Sequence, residues 1–534
     1  MDIKVYRFIN SHAMTQIIFL SKTFCNDFIK YIFNNINSNH EKYFHFTPNR
    51  NPFVQHAPIG IRLTSSQMNK WVNYSPDLTT VLKNPAMGWM MYEEGWSFQG
   101  TRHNKSNIYT PEVFWKQMEE CKAADYSNIL YIRMLWKDLE PEEGKYAWIY
   151  NERYKWYIQK AKDKGLKLAF RVFFHGVDGV PSYVYEAGAT ESPIDDEGKT
   201  QPYYDNPVFL EKLDKFIEAF AKEYDNPDEV DYIDAYGLGR WGEGHGLVLE
   251  KQDNLESVIR QITESYARHF KKVLTVMNLS QSDYRFSKPL VYDKLGFLPR
   301  RDGIGSFWFS NEERAMVHDE LFPKRALIGE GCWWFNAQDG DNSKYKHFQG
   351  DKRFAMNDFK EAFTVSVTDA LDSHCNTLDL RVPLQCKFWI EELPDQVQRF
   401  ITLGGYRLYP DYIKVEQDHK TLTLFHSWKN YGVGVLPNNH PNWNYKYQVS
   451  FVLMNEKKEI VFLYTEPEAE PSEWLKGISY NYLSRFNIPA ELQGKYTLCV
   501  GLTDKTKNNE AAIDLAVSGN LKIGKWIFVV ELEL

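Results

Sequence analysis

The chain has 534 residues, 43% of them hydrophobic and 25% charged, with a formal net charge of −8. That length exceeds one ordinary hydrophobic core and implies two domains. The acidic balance argues against a nucleic-acid binder, which would carry a basic face, and no run of 18 apolar residues is present to cross a membrane.

Residues 1–75 read as an extension, partly helical or disordered. Ile17, Leu20, Phe24, Phe28, Tyr31 and Ile32 recur at helical spacing, predicting an amphipathic helix over Thr15–Ile36. Lys4 and Arg7 precede only a short apolar stretch, with no small-residue cleavage site behind it, so the segment makes a poor export signal. Met68 is an alternative start for the native protein.

From Asn84 the pattern alternates strands with helices, the mark of an α/β domain, assigned to residues 76–405. Predicted strands are Gly88–Tyr92, Asn128–Trp136, Lys167–His175, Val230–Tyr236, Val273–Met277, Gly303–Phe307, Ala326–Gly329 and Thr377–Leu380. Between them, Thr110-Pro111 and Asn206-Pro207 are cap-plus-proline helix starts. Further helices are predicted over Glu152–Lys164, Leu255–Phe270 and Phe359–Leu371. Eight such units predict a (β/α)₈ barrel with its working face at the strand C-terminal ends. Gln396–Leu408 reads as a connection. Residues 406–534 then carry short strand-like runs divided by Pro, Asn and Gly, which predict an Ig-like antiparallel β-sandwich.

Two stretches repeat one arrangement. Tyr232–Gly246 reads Y-I-D-A-Y-G-L-G-R-W-G-E-G-H-G, and Ala326–Trp334 reads A-L-I-G-E-G-C-W-W. Each is an apolar run that ends in a glycine-flanked glutamate, Glu243 after strand four and Glu330 at the end of strand seven. Two carboxyls facing each other across a barrel mouth are what glycosidic bond cleavage needs, one protonated and one ionised. The plainer alternative is a pair of glutamates that only accept backbone hydrogen bonds in their turns.

These residues resemble the large clan of (β/α)₈ glycoside hydrolases, whose acid/base and nucleophile glutamates follow strands four and seven. Trp136–Trp148, W-K-D-L-E-P-E-E-G-K-Y-A-W, is similar to a segment after strand two in β-galactosidase-like families. From about Asn84 the chain is similar to an uncharacterised bacterial family with such a barrel, a C-terminal sandwich and a W-G-E-x-H motif. The resemblance implies a retaining glycoside hydrolase acting on an oligo- or polysaccharide, with Glu243 as acid/base and Glu330 as nucleophile and no cofactor. It also implies a periplasmic or secreted location. One departure stands out: the clan has asparagine before its acid/base, and this chain has Gly242. Asn278, at the end of strand five, is the candidate replacement donor to the sugar.

The remaining candidates for substrate contact follow from position. Arg133 and Arg171 lie inside neighbouring strands, where an arginine is costly without a carboxylate partner. Glu330 is one candidate partner and a deeper ion pair with Asp234 is the other. His175 ends strand three and His245 lies two residues after Glu243, and Trp241, Trp308 and Trp333 are candidate stacking platforms. Glu140 reads as a turn builder, and Glu93 and Glu94 as alternative carboxylates. Of the six cysteines none has zinc spacing, and Asp339–Asn342 lacks the spacing of a calcium loop, so no metal site is expected. Two rival readings remain: a barrel that binds glycan or scaffolds an assembly without cleaving anything, and a metal-dependent hydrolase built on His175, His245 and His374.

Overall fold

The structure is a computed structural model that describes residues 67–93, 102–104, 107–175, 179–194, 198, 200–332, 350–381 and 383–534. The helix expected over 15–36, Glu94, Trp333 and the 339–342 turn lie outside the described residues.

Eight parallel strands close into a barrel. They are β1 (Gly88–Glu93), β2 (Ser127–Leu135), β3 (Lys167–Phe173), β4 (Val230–Asp234), β5 (Leu274–Asn278), β6 (Leu298–Ile304), β7 (Leu327–Gly331) and β8 (Cys375–Arg381). Neighbours pair in chain order and β8 returns to β1. Helices cover the outside, among them α1 (Pro111–Glu120), α2 (Glu152–Asp163), α3 (Pro207–Tyr224), α4 (Leu255–His269) and α5 (Phe359–Asp372). The caps read from sequence form: Thr110 accepts from the Val113 amide, and Asn206 from those of Val208 and Phe209. Both leave proline at the start of the helix, where its missing N–H costs nothing.

One expected strand is displaced. Strand six was predicted over Gly303–Phe307, yet β6 runs Leu298–Ile304, L-P-R-R-D-G-I. Pro299, two arginines and an aspartate hide a buried strand from a reading based on apolar runs. The strand is stable because Arg300 and Arg301 both find carboxylates, as described below. The expected connection Gln396–Leu408 is instead mostly helix α7 (Pro394–Leu403), which follows α6 (Pro383–Glu392).

The inward side chains change character along the barrel axis. Near the strand starts they are apolar: Met90, Ile129, Ala169, Tyr232, Leu274, Leu298 and Ile328 belong to one buried cluster. Two residues further on, the same inward rows present Tyr92, Tyr131, Arg171, Asp234, Arg300 and Glu330, all buried. The period of two puts these polar groups in one layer at the C-terminal end.

The C-terminal part is two antiparallel sheets. One carries β9 (Leu408–Asp418), β10 (Thr421–Asn430) and β13 (Tyr480–Asn487), with the strand Gln67–Asn73 paired on β9. The other is built on β11 (Tyr447–Met454), β12 (Ile460–Thr465), β14 (Lys495–Asp504), β15 (Glu510–Ile513), β16 (Lys522–Ile523) and β17 (Trp526–Glu533). Trp428 stacks on Trp474 at 4.9 Å in the sandwich core. The sandwich holds the strand-start end of the barrel: Asn376 donates to the Ala86 and Val435 carbonyls, Asn442 to Val273, and His440 meets Thr275. It therefore leaves the opposite end of the barrel to the βα loops. Among the described residues, no helix is long and apolar enough to cross a membrane.

Candidate active site

Glu243 is presented by a tight hairpin just beyond β4. The Arg240 amide donates to the His245 carbonyl at 2.8 Å, and the Glu243 amide to Arg240 at 3.0 Å. Trp241 takes φ 56°, an uncommon conformation for a residue with a side chain, and this turns Glu243 back over the barrel. Glu330 needs no such device, because it is an inward residue of β7 itself.

A single guanidinium joins them. Arg171, fully buried on β3, donates from Nη1 to Glu243 Oε1 at 2.8 Å and from Nη2 to Glu330 Oε2 at 2.5 Å. The two acceptor oxygens are therefore no more than about 8 Å apart, one fork and two hydrogen bonds. That bound admits both carboxyl separations used by glycosidases, roughly 5–5.5 Å for retention and 6.5–9.5 Å for inversion. Arg171 is itself held from below, with Nε on the Tyr131 hydroxyl at 2.6 Å and 3.3 Å from Asp234. The two partners weighed from sequence, Glu330 and Asp234, thus share the same side chain.

The carboxylates sit in different fields. Glu330 is 1% exposed. Its Oε2 also accepts from Arg300 Nη1 at 2.6 Å, and its Oε1 from Arg381 Nη2 at 2.7 Å and the Tyr92 hydroxyl at 3.1 Å. Burial opposes its ionisation, but Arg171, Arg300, Arg381 and Arg133 outweigh it and hold the carboxyl well below its usual range. Glu243, 6% exposed, is pushed up to about 7, first by burial and then by the negative charge of Asp302, against the pull of Arg171.

The other expected residues are placed as follows. Arg133 pairs in register with Arg171, lies over the Phe173 and Tyr92 rings, and adds its charge to the field at Glu330. His245 Nε2 stands 3.8 Å from Glu243 Oε2, and burial lowers its proton affinity. Trp241 is 36% exposed beside it and lends its carbonyl to Arg171. Trp308 is 44% exposed at the rim, its carbonyl bound by Arg301. His175 is buried just past the end of β3. Glu140 builds a turn, accepting from Trp136, Gly144 and Tyr183. Asn278 Nδ2 donates to the Glu243 carbonyl at 2.7 Å, so one of its two N–H groups holds the backbone of that residue.

Sequence reasoning missed Tyr92, Tyr131, Arg300, Asp302 and Arg381. Arg300 and Arg381 carry the same signal that singled out Arg171, a strand arginine that needs an acid. They were hidden by the misplaced sixth strand and by an eighth strand ended one residue early. Asp302, paired with Arg301 and near Arg300, is kept below its usual range despite burial.

The metal reading on three histidines fails on topology. His374 precedes β8 at the sandwich end, stacked on Phe322 at 3.9 Å, whereas His245 follows β4 at the opposite end. Among the described residues, Glu243, His245 and Asp302 do bring possible ligand atoms within 4.8 Å of one another. The guanidiniums of Arg171, Arg300 and Arg301 compete with any cation there. Two concavities lie elsewhere. One of about 330 Å³ sits under the strand starts beside Lys83, Lys167 and Asp231; the other, about 460 Å³, lies between α3 and α4.

No protein-family model matches the chain, and no curated protein matches its sequence. Solved structures do align with it. Endo-glycoceramidase II from Rhodococcus sp., as its lactosyl-enzyme intermediate, matches at 11% identity over 78% of this chain and 100% of that one, with a TM-score of 0.37. The β-galactosidase from Rahnella sp. R3 matches at 10% identity over 63% and 59%, with a TM-score of 0.41. Endoglucanase Cel5A from Pseudomonas stutzeri matches at 8% over 60% and 97%, with a TM-score of 0.36. Scores this low carry no argument about chemistry; the barrel rests on its own strand pairing.

Proposed function

We propose that the protein is a glycoside hydrolase acting on an oligo- or polysaccharide, with Glu243 as general acid/base and Glu330 as nucleophile in a retaining double displacement. The observation that carries this reading is one guanidinium binding two carboxyls whose proton affinities are driven in opposite directions. A proton held on Glu243 near neutral pH suits transfer to a leaving oxygen. An ionised Glu330 suits attack on the anomeric carbon, after which Glu243 as base activates the water that releases the sugar. Trp241, two residues before Glu243, and Trp308, whose carbonyl Arg301 binds, are both partly exposed.

The test is hydrolysis of a panel of aryl glycosides by the wild type, E243Q and E330Q, with the product anomer followed by NMR. Loss of turnover in each variant with sugar binding retained, and retention of configuration by the wild type, are the expected results. Inversion would remove the nucleophile role from Glu330.

One observation favours the second reading, a barrel that binds glycan without cleaving it. Both Glu330 oxygens are taken by Arg171, Arg300, Arg381 and Tyr92, and only 1% of the residue is exposed. Attack then requires one of these partners to yield as substrate enters. A wild type that binds oligosaccharide but turns over no glycoside in the panel decides for this alternative.

A further inference from the structure

Cys121 and Cys386 are 265 positions apart in the chain, yet their Sγ atoms lie 3.5 Å from each other. Cys121 caps the C-terminal end of α1, and Cys386 sits in the first turn of α6. Both are buried, Cys121 at 7% exposed and Cys386 at 0%, in the same apolar cluster as Trp89 and Trp389. Those two rings, one on β1 and one on α6, pack at 5.2 Å, so α6 lies over the seam where β8 returns to β1. Every other seam of the barrel joins strands that follow one another in the chain. This one joins the first strand to the last, and the two thiols meet between helices on its outer side.

We propose that Cys121 and Cys386 are a thiol-oxidation site: they take a small disulfide as oxidant and form a crosslink that staples the barrel at its closing seam. A single buried cysteine behaves as a small apolar residue. Two sulfurs already in contact need only about 1.5 Å of further approach to reach bonding distance. Cys121 is the thiol that starts the exchange. It is the more exposed of the two, and the Cys386 thiol and the Ala123 amide hold it below the usual thiol range against the effect of burial. Its thiolate attacks one sulfur of the oxidant, and the other sulfur leaves as a thiolate. Burial pushes Cys386 well above the usual range, so its attack on the Cys121 sulfur is the slower step. That attack breaks the mixed disulfide, forms the Cys121–Cys386 bond and releases a second small thiolate. The protons lost by the two cysteines end on the two released thiolates. The protein gives up two electrons, and the small disulfide is reduced to two thiols. Closing a loop of 265 residues takes more entropy from the unfolded chain than a local crosslink would. Neither cysteine supports Glu243 or Glu330, so the staple acts on stability and is independent of the hydrolase reading.

The experiment incubates the folded full-length wild type with oxidised glutathione, blocks the remaining thiols with iodoacetamide and maps the unreduced peptides by mass spectrometry. A peptide linking Cys121 to Cys386, lighter by two hydrogens than its parts and released by dithiothreitol, is the expected product. The oxidised protein is expected to melt about 4 °C higher than the same sample after reduction. Cys386→Ala should abolish both the linked peptide and the response of its melting temperature to glutathione. The comparison of oxidised with reduced wild type needs no variant and stands if that substitution prevents folding. Three results would overturn the proposal: no linked peptide from the folded protein, a link that forms only after unfolding in urea, or an oxidised protein that melts no higher than the reduced one.

Discussion

The space that a side chain at position 242 would need is filled by the stem of Arg171. A Cβ built on Gly242 falls 3.1 Å from Arg171 Cδ and 2.9 Å from Phe173 Cβ, and the residue sits at φ 77°. The position before Glu243 is thus closed by a guanidinium threaded beneath the W-G-E-G-H turn to reach both carboxylates. Placing an asparagine there should therefore do harm. Gly242→Asn combines overpacking with a strained backbone and is expected to cost about 2 kcal/mol or more of stability. A denaturant melt of the variant measures this, and the proposed glycosidase activity should fall with it. A variant as stable and as active as the wild type would refute this account of the glycine.

On the proposed mechanism, Asp302 should set the upper limit of the working pH range. After burial, its charge is the largest influence raising the proton affinity of Glu243, which reaches about 7. Asp302→Asn removes that charge, so Glu243 should release its proton at lower pH. The alkaline limb of the kcat/KM profile is expected to move to more acid pH by up to about one unit. A limb that stays in place would show that the general acid is another group.

Much of this was legible in the sequence, and the residues that were not share a reason. Glu243 and Glu330 were visible because glycine-flanked glutamates after apolar runs break the pattern of a buried strand. Arg171 was visible because a charge inside such a run is costly. Arg300 and Arg301 escaped because two adjacent arginines beside Pro299 look like a loop. Only the closed barrel shows that Arg300 points inward to Glu330 and Asp234 while Arg301 is matched by Glu313. Periodicity reports where apolar side chains go; it does not reveal a strand whose inward face is paired by ions.

Glu330 anchors the polar layer as well as serving the proposed chemistry. Breaking a buried ion cluster by removing one partner leaves charges uncompensated, at a cost of about 3–5 kcal/mol. Glu330→Gln should therefore be clearly less stable than the wild type near neutral pH. Its carboxyl is held below the ordinary range, so its contribution is present above about pH 4.5 and is lost as pH falls through its depressed value. The stability gap between wild type and variant, measured by urea unfolding, should shrink towards acid. A gap that is constant with pH would mean the ion cluster is not its source.

Glu243 should behave in the opposite way. With its proton affinity raised to about 7, the folded protein holds a proton on this group that the unfolded chain gives up above about pH 4.5. Its favourable contribution is complete below that range and disappears as pH rises towards 7, leaving a buried carboxylate crowded by Asp302. Glu243→Gln has no proton to lose. Its stability relative to the wild type is expected to rise between pH 4.5 and 7, by on the order of 3 kcal/mol, and to level off above. Thermal melts of the two proteins across that range read the difference directly. A catalytic carboxyl poised against its own fold gives this trend, whereas a glutamate kept only to accept bonds in its turn would make the substitution destabilising at every pH.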